Sequence, residues 1–380
     1  MSDTKISITI ITNIVTTYRE GFYDRLMKRE DVLVKVYCQD SIPGMNLTSI
    51  HNKYRENIQI VKYICTKGET IGLQFLPLFK IIKESDVIFF DGNPRVLSNI
   101  FVGMLSLFFR KKKFIIWTMA HSYGANKFTE KIRLKWTSFF KNIFLYTDKE
   151  IKYLKKKGFK FNYMIGMNNG LDQDKINKEK EKWDKKSLLS WQETENLSDK
   201  LIAVSVARLT AKNKFEQVIL IMPDILREYP NFRWYIIGDG PELKMLKKLA
   251  LKLNVAQKIH FVGSLYDESH IAPYLLSAKF FIHPASIGLS IMHAFGYGLP
   301  VIVNDEEYMH GPEYGAFENK KTGYNFKSNN LQDLKDKIMS IIMDENHRNI
   351  MVNNCLVLAN EKFNVNVMVE RFVKMANTAK

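Results

Sequence analysis

Several stretches of this chain place cations, bare backbone or a carboxylate where an anion or a sugar could be handled. In Ala207-Arg208-Leu209-Thr210-Ala211-Lys212-Asn213-Lys214, an arginine and two lysines follow an apolar run and open a helical pattern. Arg208 offers a planar fork of donors, and Lys212 and Lys214 offer point charges. Both suit a diphosphate beside a helix N-terminus. Gly238-Asp239-Gly240-Pro241-Glu242 follows a second apolar run. Its glycines permit a tight turn and Pro241 suits a first helical position, so Gly238 is either a pocket residue or a structural turn. In Pro284-Ala285-Ser286-Ile287-Gly288-Leu289, a turn runs into a helix expected from about Gly288. Backbone amides from Ser286 to Leu289 are placed there to cradle phosphates. Gly311-Pro312-Glu313-Tyr314 adds a carboxylate, Glu313, on a loop. In the first half, His121 follows the run Phe114 to Trp117, and Asp91 and Asn93 follow Asp86 to Phe90. Those are carboxyl ends of expected strands, where ligands of open α/β sheets bind.

The elements that must position these groups are legible as alternation. Short apolar runs at Ile6–Ile11, Val32–Tyr37, Asp86–Phe90, Phe114–Trp117 and Ile143–Tyr146 alternate with helical patterns. The alternation resumes with strands at Leu201–Val206, Phe232–Ile237, Ile259–Val262, Phe280–His283 and Val301–Val303, and helices fill the chain from Leu331. Near-continuous apolar strands between helices argue for α/β architecture with parallel sheets covered on both faces. Residues 172–200 are highly charged and poor in apolar side chains, and are expected to be a surface segment or interdomain linker with some helix. The expected organisation is an N-terminal domain over 1–171, that linker, a C-terminal domain over 201–362, and a final helix over 363–380 that packs back toward the first domain. Two doubly wound domains would face a central cleft, and a ligand belongs in that cleft.

Charge narrows the partners. The chain of 380 residues has 56 Lys and Arg against 40 Asp and Glu, a net charge of +16. Between Arg110 and Lys160, 15 basic residues stand against three acidic ones, so most of the excess lies in one segment. It begins with Arg110-Lys111-Lys112-Lys113, directly after the apolar run Val96–Phe109, which is too short to span a bilayer and reads as a buried helix. Ile132, Trp136, Phe139, Phe140 and Ile143 recur at helical spacing among lysines, a pattern suited to an anionic membrane interface. No zinc-finger or RNP motif supports nucleic acid as a partner. Three widely spaced cysteines, Cys38, Cys65 and Cys355, fit a reducing compartment. A cytoplasmic protein, peripheral at the membrane face, is the expectation.

The order and spacing of the blocks in the second half resemble glycosyltransferase family 4, the retaining glycosyl transferases group 1 of GT-B fold. The resemblance rests on Ala207-Arg208-Leu209, Ile236-Ile237-Gly238-Asp239-Gly240-Pro241, Ile259-His260-Phe261-Val262-Gly263, the Pro284–Ile302 block, Pro312-Glu313 and Thr322-Gly323. It covers roughly residues 201–330. The first half matches more loosely, through Thr12-Asn13 with Tyr18-Arg19, Tyr146-Thr147 and Asn169-Gly170-Leu171-Asp172. The resemblance implies transfer of a sugar from a nucleotide-diphosphate sugar to a glycan or lipid-linked saccharide, as in surface-polysaccharide or lipopolysaccharide assembly. It implies neither metal nor other cofactor. It further implies that Arg208 and Lys214 assist the departing diphosphate, with His121 near the sugars. Lys212, Gly238, Ser286, Ile287, Gly288, Leu289, His293 and Glu313 would line the donor site. Thr16, Tyr18, Asp91 and Asn93 would lie on the acceptor side.

One departure bears on activity. The family's Glu-x7-Glu pair falls here on Ala285 and His293. His293 retains hydrogen-bonding capacity toward a ribose hydroxyl, Ala285 has none for a sugar, and Glu313 is the nearby carboxylate. A surface-polysaccharide branch sharing the Gly-Leu-x-x-x-His pattern accounts for the loss. The competing readings are a non-catalytic partner subunit and a nucleotide-sugar epimerase of the same fold.

Overall fold

A computed structural model describes residues 5–41, 48–66, 71–121, 127–160 and 162–379. The chain divides into two compact units, one of residues 1–171 with 365–380, the other of residues 172–364.

In the first unit the apolar runs become a parallel sheet. Its strands are β1 (Ile6–Ile11), β2 (Val32–Cys38), β3 (Ile58–Ile60), β6 (Val87–Asp91), β7 (Lys113–Trp117), β8 (Asn142–Leu145) and β9 (Tyr163–Gly166), while β4 (Tyr63–Cys65) and β5 (Gly72–Gln74) form a separate antiparallel pair. The spatial order is β3-β2-β1-β6-β7-β8-β9. Both faces are covered, which is why Ile10, Phe89, Phe90, Ile115 and Ile116 read as unbroken apolar runs. The C-terminal helix Val365–Thr378 closes one face: Phe372 stacks on Phe89 at 4.1 Å and meets Phe22 and Phe144 edge-on. Arg371 grips both carboxylate oxygens of Asp148 at 2.7 and 2.8 Å.

Two expectations for this unit need correction. Val96–Phe109 is not a buried helix. The helix is shorter, Leu97–Leu105, and buries only Ser98, Asn99, Val102 and Gly103, while Phe101, Met104, Leu107 and Phe108 are exposed. Nor does the stripe from Ile132 to Ile143 face outward as a whole. Helix Lys127–Ser138 ends before Phe140, the Trp136 ring packs edge-on against Phe140, and Phe140 and Ile143 are core residues; only Ile132 and Phe139 are exposed. Helical spacing runs on past the helix end at Ser138, into the connection at Phe139 and Phe140 and strand residue Ile143.

The second unit holds a six-stranded parallel sheet: β10 (Leu201–Val206), β11 (Phe232–Ile237), β12 (Ile259–Gly263), β13 (Phe280–His283), β14 (Val301–Asn304) and β15 (Gly323–Phe326), ordered β12-β11-β10-β13-β14-β15. The buried Trp234 indole N–H donates to Ser205 Oγ at 2.9 Å, and that hydroxyl donates to the Ile282 carbonyl. One polar chain thus pins β11, β10 and β13 together. Residues 172–200 group with this unit and are largely helical. They form helices Gln173–Glu181 and Lys185–Thr194 within this unit, each capped by an aspartate, Asp172 and Asp184. Gln173 and Lys180 both donate to the Gly296 carbonyl, at 3.2 and 2.9 Å, and Trp191 packs edge-on against Tyr274. Sparse apolar content suffices there because these helices are held by caps and a few aromatic contacts.

Candidate functional site

Each sheet has one point where strand order reverses, and several of the candidate residues lie on the loops there. In the second unit it lies between β10 and β13. The loops leaving their carboxyl ends are Ala207–Lys214 and Pro284–Leu289, so two stretches far apart in sequence become neighbours.

The first loop is held open by glycine backbone. Ala207 N–H donates to the Ile237 carbonyl at 3.0 Å, and Leu209 N–H to the Asp239 carbonyl at 2.9 Å. Gly238 has φ +146°, and a Cβ there would stand 1.9 Å from the Ala207 carbonyl oxygen. Gly238 therefore shapes the turn that carries Arg208. Gly238→Ala should cost about 2 kcal/mol or more, read as a lowered midpoint in urea unfolding, because strain and clash add. An unchanged midpoint would show that the turn relaxes freely. Arg208 is exposed, and its carbonyl accepts from Asn213 Nδ2 at 2.7 Å. Lys212 is exposed on the same loop. Lys214 takes a left-handed backbone, φ 53°, and its amine donates to Asn329 Oδ1 at 2.8 Å.

The second loop is also braced. Ser286 has φ 55°, a left-handed conformation rare for serine. Ile287 turns inward: its side chain is buried, its N–H donates to His310 Nδ1 at 3.2 Å, and its carbonyl accepts from Gly311 N–H at 2.7 Å. That bond makes Nδ1 the acceptor, so His310 Nε2 carries the proton and donates to the Asn304 side-chain and main-chain oxygens at 2.9 and 3.1 Å. The helix expected from Gly288 is Ser290–Gly296. Glu313 is buried, with Oε2 only 3.7 Å from where a Gly288 Cβ would stand and 2.8 Å from a Gly311 Cβ. A carboxylate thus does lie beside the small-residue turn, three residues on from Ala285. His293 is engaged already: Nε2 meets Glu268 Oε1 at 2.8 Å, and Tyr297 donates to the same oxygen at 2.6 Å. Burial would raise the Glu268 carboxyl, but His293 and Tyr297 hold it below its ordinary value. His283, at the end of β13, is buried neutral, its imidazole pushed down to about 3 by burial first and by His310 second.

In the first unit the order reverses between β1 and β6. A cavity of about 630 Å³ opens there, lined by Asn13, Asp91, Asn93, Arg95, Trp117, Arg133 and Tyr146 among others. A smaller chamber of about 180 Å³ shares Asn13, Asp91, Trp117 and Tyr146 and adds Tyr18, Arg19 and Tyr23. Asp91 Oδ1 accepts from Asn93 N–H at 2.8 Å, while burial pushes the Asp91 carboxyl above the usual range. Thr16 is buried outside this lining, though its carbonyl accepts from Arg19 N–H at 3.0 Å. His121 is not a lining residue; its ring sits 6.4 Å from that of Tyr153. Residues 122–126, which follow it, lie outside the described residues. Arg19, Arg133, Glu268 and His310 were not singled out from sequence. Only Tyr18-Arg19 carried a signal, through the resemblance.

Among the described residues, no three His, Cys, Asp or Glu side chains come together to hold a metal ion. Asp172, in the run Asp172-Gln173-Asp174, caps a helix by accepting from Lys175 N–H at 3.3 Å.

Two Rossmann-like units, each built on a parallel sheet whose strand order reverses once, define the GT-B class of fold. Anabaena HepE solved in complex with UDP superposes with a TM-score of 0.70 at 15% identity, covering 99% of this chain and 100% of that one. The lipopolysaccharide outer core galactosyltransferase WaaB, in its apo form, superposes with a TM-score of 0.65 at 11% identity, covering 98% and 99%. Residues 190–355 match the family of glycosyl transferases group 1. It is similar to the alpha-monoglucosyldiacylglycerol synthase of Acholeplasma laidlawii, 27% identical over 35% of this chain and 33% of that protein. It is also similar to the GDP-mannose-dependent alpha-(1-6)-phosphatidylinositol monomannoside mannosyltransferase of Mycobacterium tuberculosis, 23% identical over 39% of this chain and 40% of that protein. The chain thus spans between a third and two-fifths of the length of these two relatives.

Proposed function

We propose that this protein transfers a sugar, with retained anomeric configuration, from a nucleotide-diphosphate sugar to the hydroxyl of a lipid-linked saccharide, in surface-polysaccharide or lipopolysaccharide assembly. The observation that carries the reading is the pairing, at the β10/β13 reversal, of a basic turn with a braced small-residue turn. Arg208, with Lys212 or Lys214, faces the charge that grows on the leaving diphosphate, and cations fixed in advance lower that barrier. Glu313, beside Gly288, takes the donor-sugar side left empty by Ala285. The acceptor oxygen bonds to the anomeric carbon as the carbon–phosphate oxygen bond breaks, and the departing phosphate takes the hydroxyl proton. No metal or other cofactor has a part in this scheme.

The first unit receives the acceptor. The rim of its larger cavity includes Ile71, Leu97 and Ile132, all exposed apolar side chains. Leu97 opens a helix with Phe101 and Met104 exposed, and the exposed Leu107 and Phe108 in the turn after it lead to the basic run from Arg110. Apolar side chains followed by cations suit a protein lying on the anionic cytoplasmic face of a membrane. Among the described residues, no helix is long and apolar enough to cross one.

The test is a melting panel with UDP, GDP, CMP and dTDP and their sugar conjugates, followed by donor turnover. Ligand at 100 times its Kd should add about 2.7 kcal/mol of stability. One nucleotide is expected to stabilise the protein, and its sugar conjugate to be slowly hydrolysed with the anomeric configuration kept. No response to any nucleotide would overturn the donor site. Binding without turnover would mark a non-catalytic partner, and conversion of the donor sugar without acceptor an epimerase.

A further inference from the structure

The smaller chamber of the first unit contains a buried cation that, among the described residues, makes no ion pair. Arg19 is 8% exposed, and its guanidinium lies over the rings of Trp117, Tyr146 and Tyr18 at 5.0, 5.5 and 5.8 Å. Among the described residues no carboxylate stands within ion-pair distance of it; the phenols of Tyr146, Tyr18 and Tyr23 surround it, and Asp91, which lines the same chamber, acts on it only from farther off. A guanidinium has five donors and no acceptor, and taking it out of water unpaired is costly. Aromatic faces offset part of that and hold the plane of the ion, but leave its edge donors unspent. Arg19 lines a chamber of about 180 Å³ that shares four lining residues with the larger cavity.

That larger cavity is also biased to cations. Arg95 and Arg133 line it against Asp91 alone, and among the described residues neither arginine is in an ion pair. Burial works against the charge on Arg133, as it does against that on Asp91. Asn13 Oδ1, at the junction of the two chambers, is buried without a hydrogen-bond partner. A ligand that satisfied these groups would bring acceptor oxygens to Arg19 and a hydroxyl to Asn13 or Asp91.

We infer that the acceptor carries an anionic group, a phosphate or a carboxylate, and that Arg19 binds it bidentately inside the first unit. The inference rests on the proposed function, since it names the chemistry of that acceptor. Arg19 acts here in binding and specificity and takes no part in bond breaking. Planar fork-to-oxyanion geometry is what separates it from a lysine. The adjoining cavity accommodates the saccharide that bears the hydroxyl.

The experiment uses the full chain without donor, at low salt. Glucose 1-phosphate, glucuronate, inorganic phosphate and neutral methyl glucoside are titrated calorimetrically against the wild type, Arg19→Met, Arg19→Lys and Arg208→Ala. The two anionic sugars should bind, methyl glucoside should not, and inorganic phosphate should bind more weakly than glucose 1-phosphate. Arg208→Ala removes the donor-side cation, so binding that persists in it belongs to the first unit, and persistence is expected. Arg19→Met should abolish binding while melting no lower than wild type, because an unpaired buried charge has been removed. Arg19→Lys should weaken binding about tenfold or more, and it serves where the methionine variant does not fold. Equal binding of methyl glucoside, loss in Arg208→Ala, retention in Arg19→Met, unchanged binding in Arg19→Lys, or no binding by wild type would each overturn the assignment. Inorganic phosphate binding as tightly as the sugar phosphate would overturn the acceptor reading in favour of a free-anion site. Nucleotide stabilisation measured on the same variants separates the two readings, for it depends on the second unit.

Discussion

Arg208→Ala should lower sugar transfer by roughly a hundred- to a thousandfold, about 3–4 kcal/mol of transition-state stabilisation, with little change in melting temperature. The two halves of that expectation have separate causes. Stability is spared because the side chain is exposed and the turn is held through backbone: the Asn213 amide on the Arg208 carbonyl, and Ala207 and Leu209 on the Gly238 turn. Transfer suffers because charge on the leaving diphosphate grows as the glycosidic bond breaks, so a fixed cation matters more in the transition state than in the bound donor. The loss should therefore fall more on kcat than on donor affinity. Arg208→Lys should recover part of it, as a point charge replaces part of a fork. Steady-state kinetics with the nucleotide sugar identified by the melting panel is the measurement. Wild-type kcat in Arg208→Ala would remove Arg208 from the chemistry and leave Lys212 and Lys214 to be tested alone.

The double variant Leu107→Ser/Phe108→Ser should bind vesicles containing anionic phospholipid at least about a hundredfold more weakly than wild type, with folding untouched. Leu107 is 67% exposed and Phe108 76%, so neither contributes to a core. Each apolar side chain moved from water into a bilayer boundary is worth about 1.5–3 kcal/mol, and two account for that factor. Reversing the charges of Arg110 and Lys111 should weaken binding by about 1 kcal/mol for each lost cation, and that part should vanish at high salt as screening shortens. Co-sedimentation across a salt series separates the two contributions. Unaltered sedimentation of the serine variant would remove the membrane from the account. An acceptor presented in solution would then be the simpler reading.

Local signals reached far in this chain. Leu201–Val206, Phe232–Ile237 and Phe280–His283 are strands with the boundaries their apolar runs suggest, because each run is buried on both faces and bounded by turn residues. The turn at Gly238 and the bend before Ser290 were legible for the same reason: glycine and proline mark backbone geometry where they stand. Surface and core were harder to tell apart. The run Val96–Phe109 is apolar all round, and composition by itself does not say which face meets protein and which is left bare. Residues 172–200 looked like a linker since caps and a Trp191–Tyr274 contact leave no hydrophobic period.

The sequence by itself determined the class of fold, the basic turn at Arg208 and the concentration of positive charge between Arg110 and Lys160. These depend on residues close together along the chain, whose types constrain the backbone and the charge around them. The tertiary structure alone decided that His293 is taken by Glu268, that Ile287 is turned inward onto His310, and that Arg19 is enclosed by Trp117 and Tyr146. Each is a contact between residues on different elements. Strand order brings those partners together, and the packing of covered sheets sets that order across the whole unit.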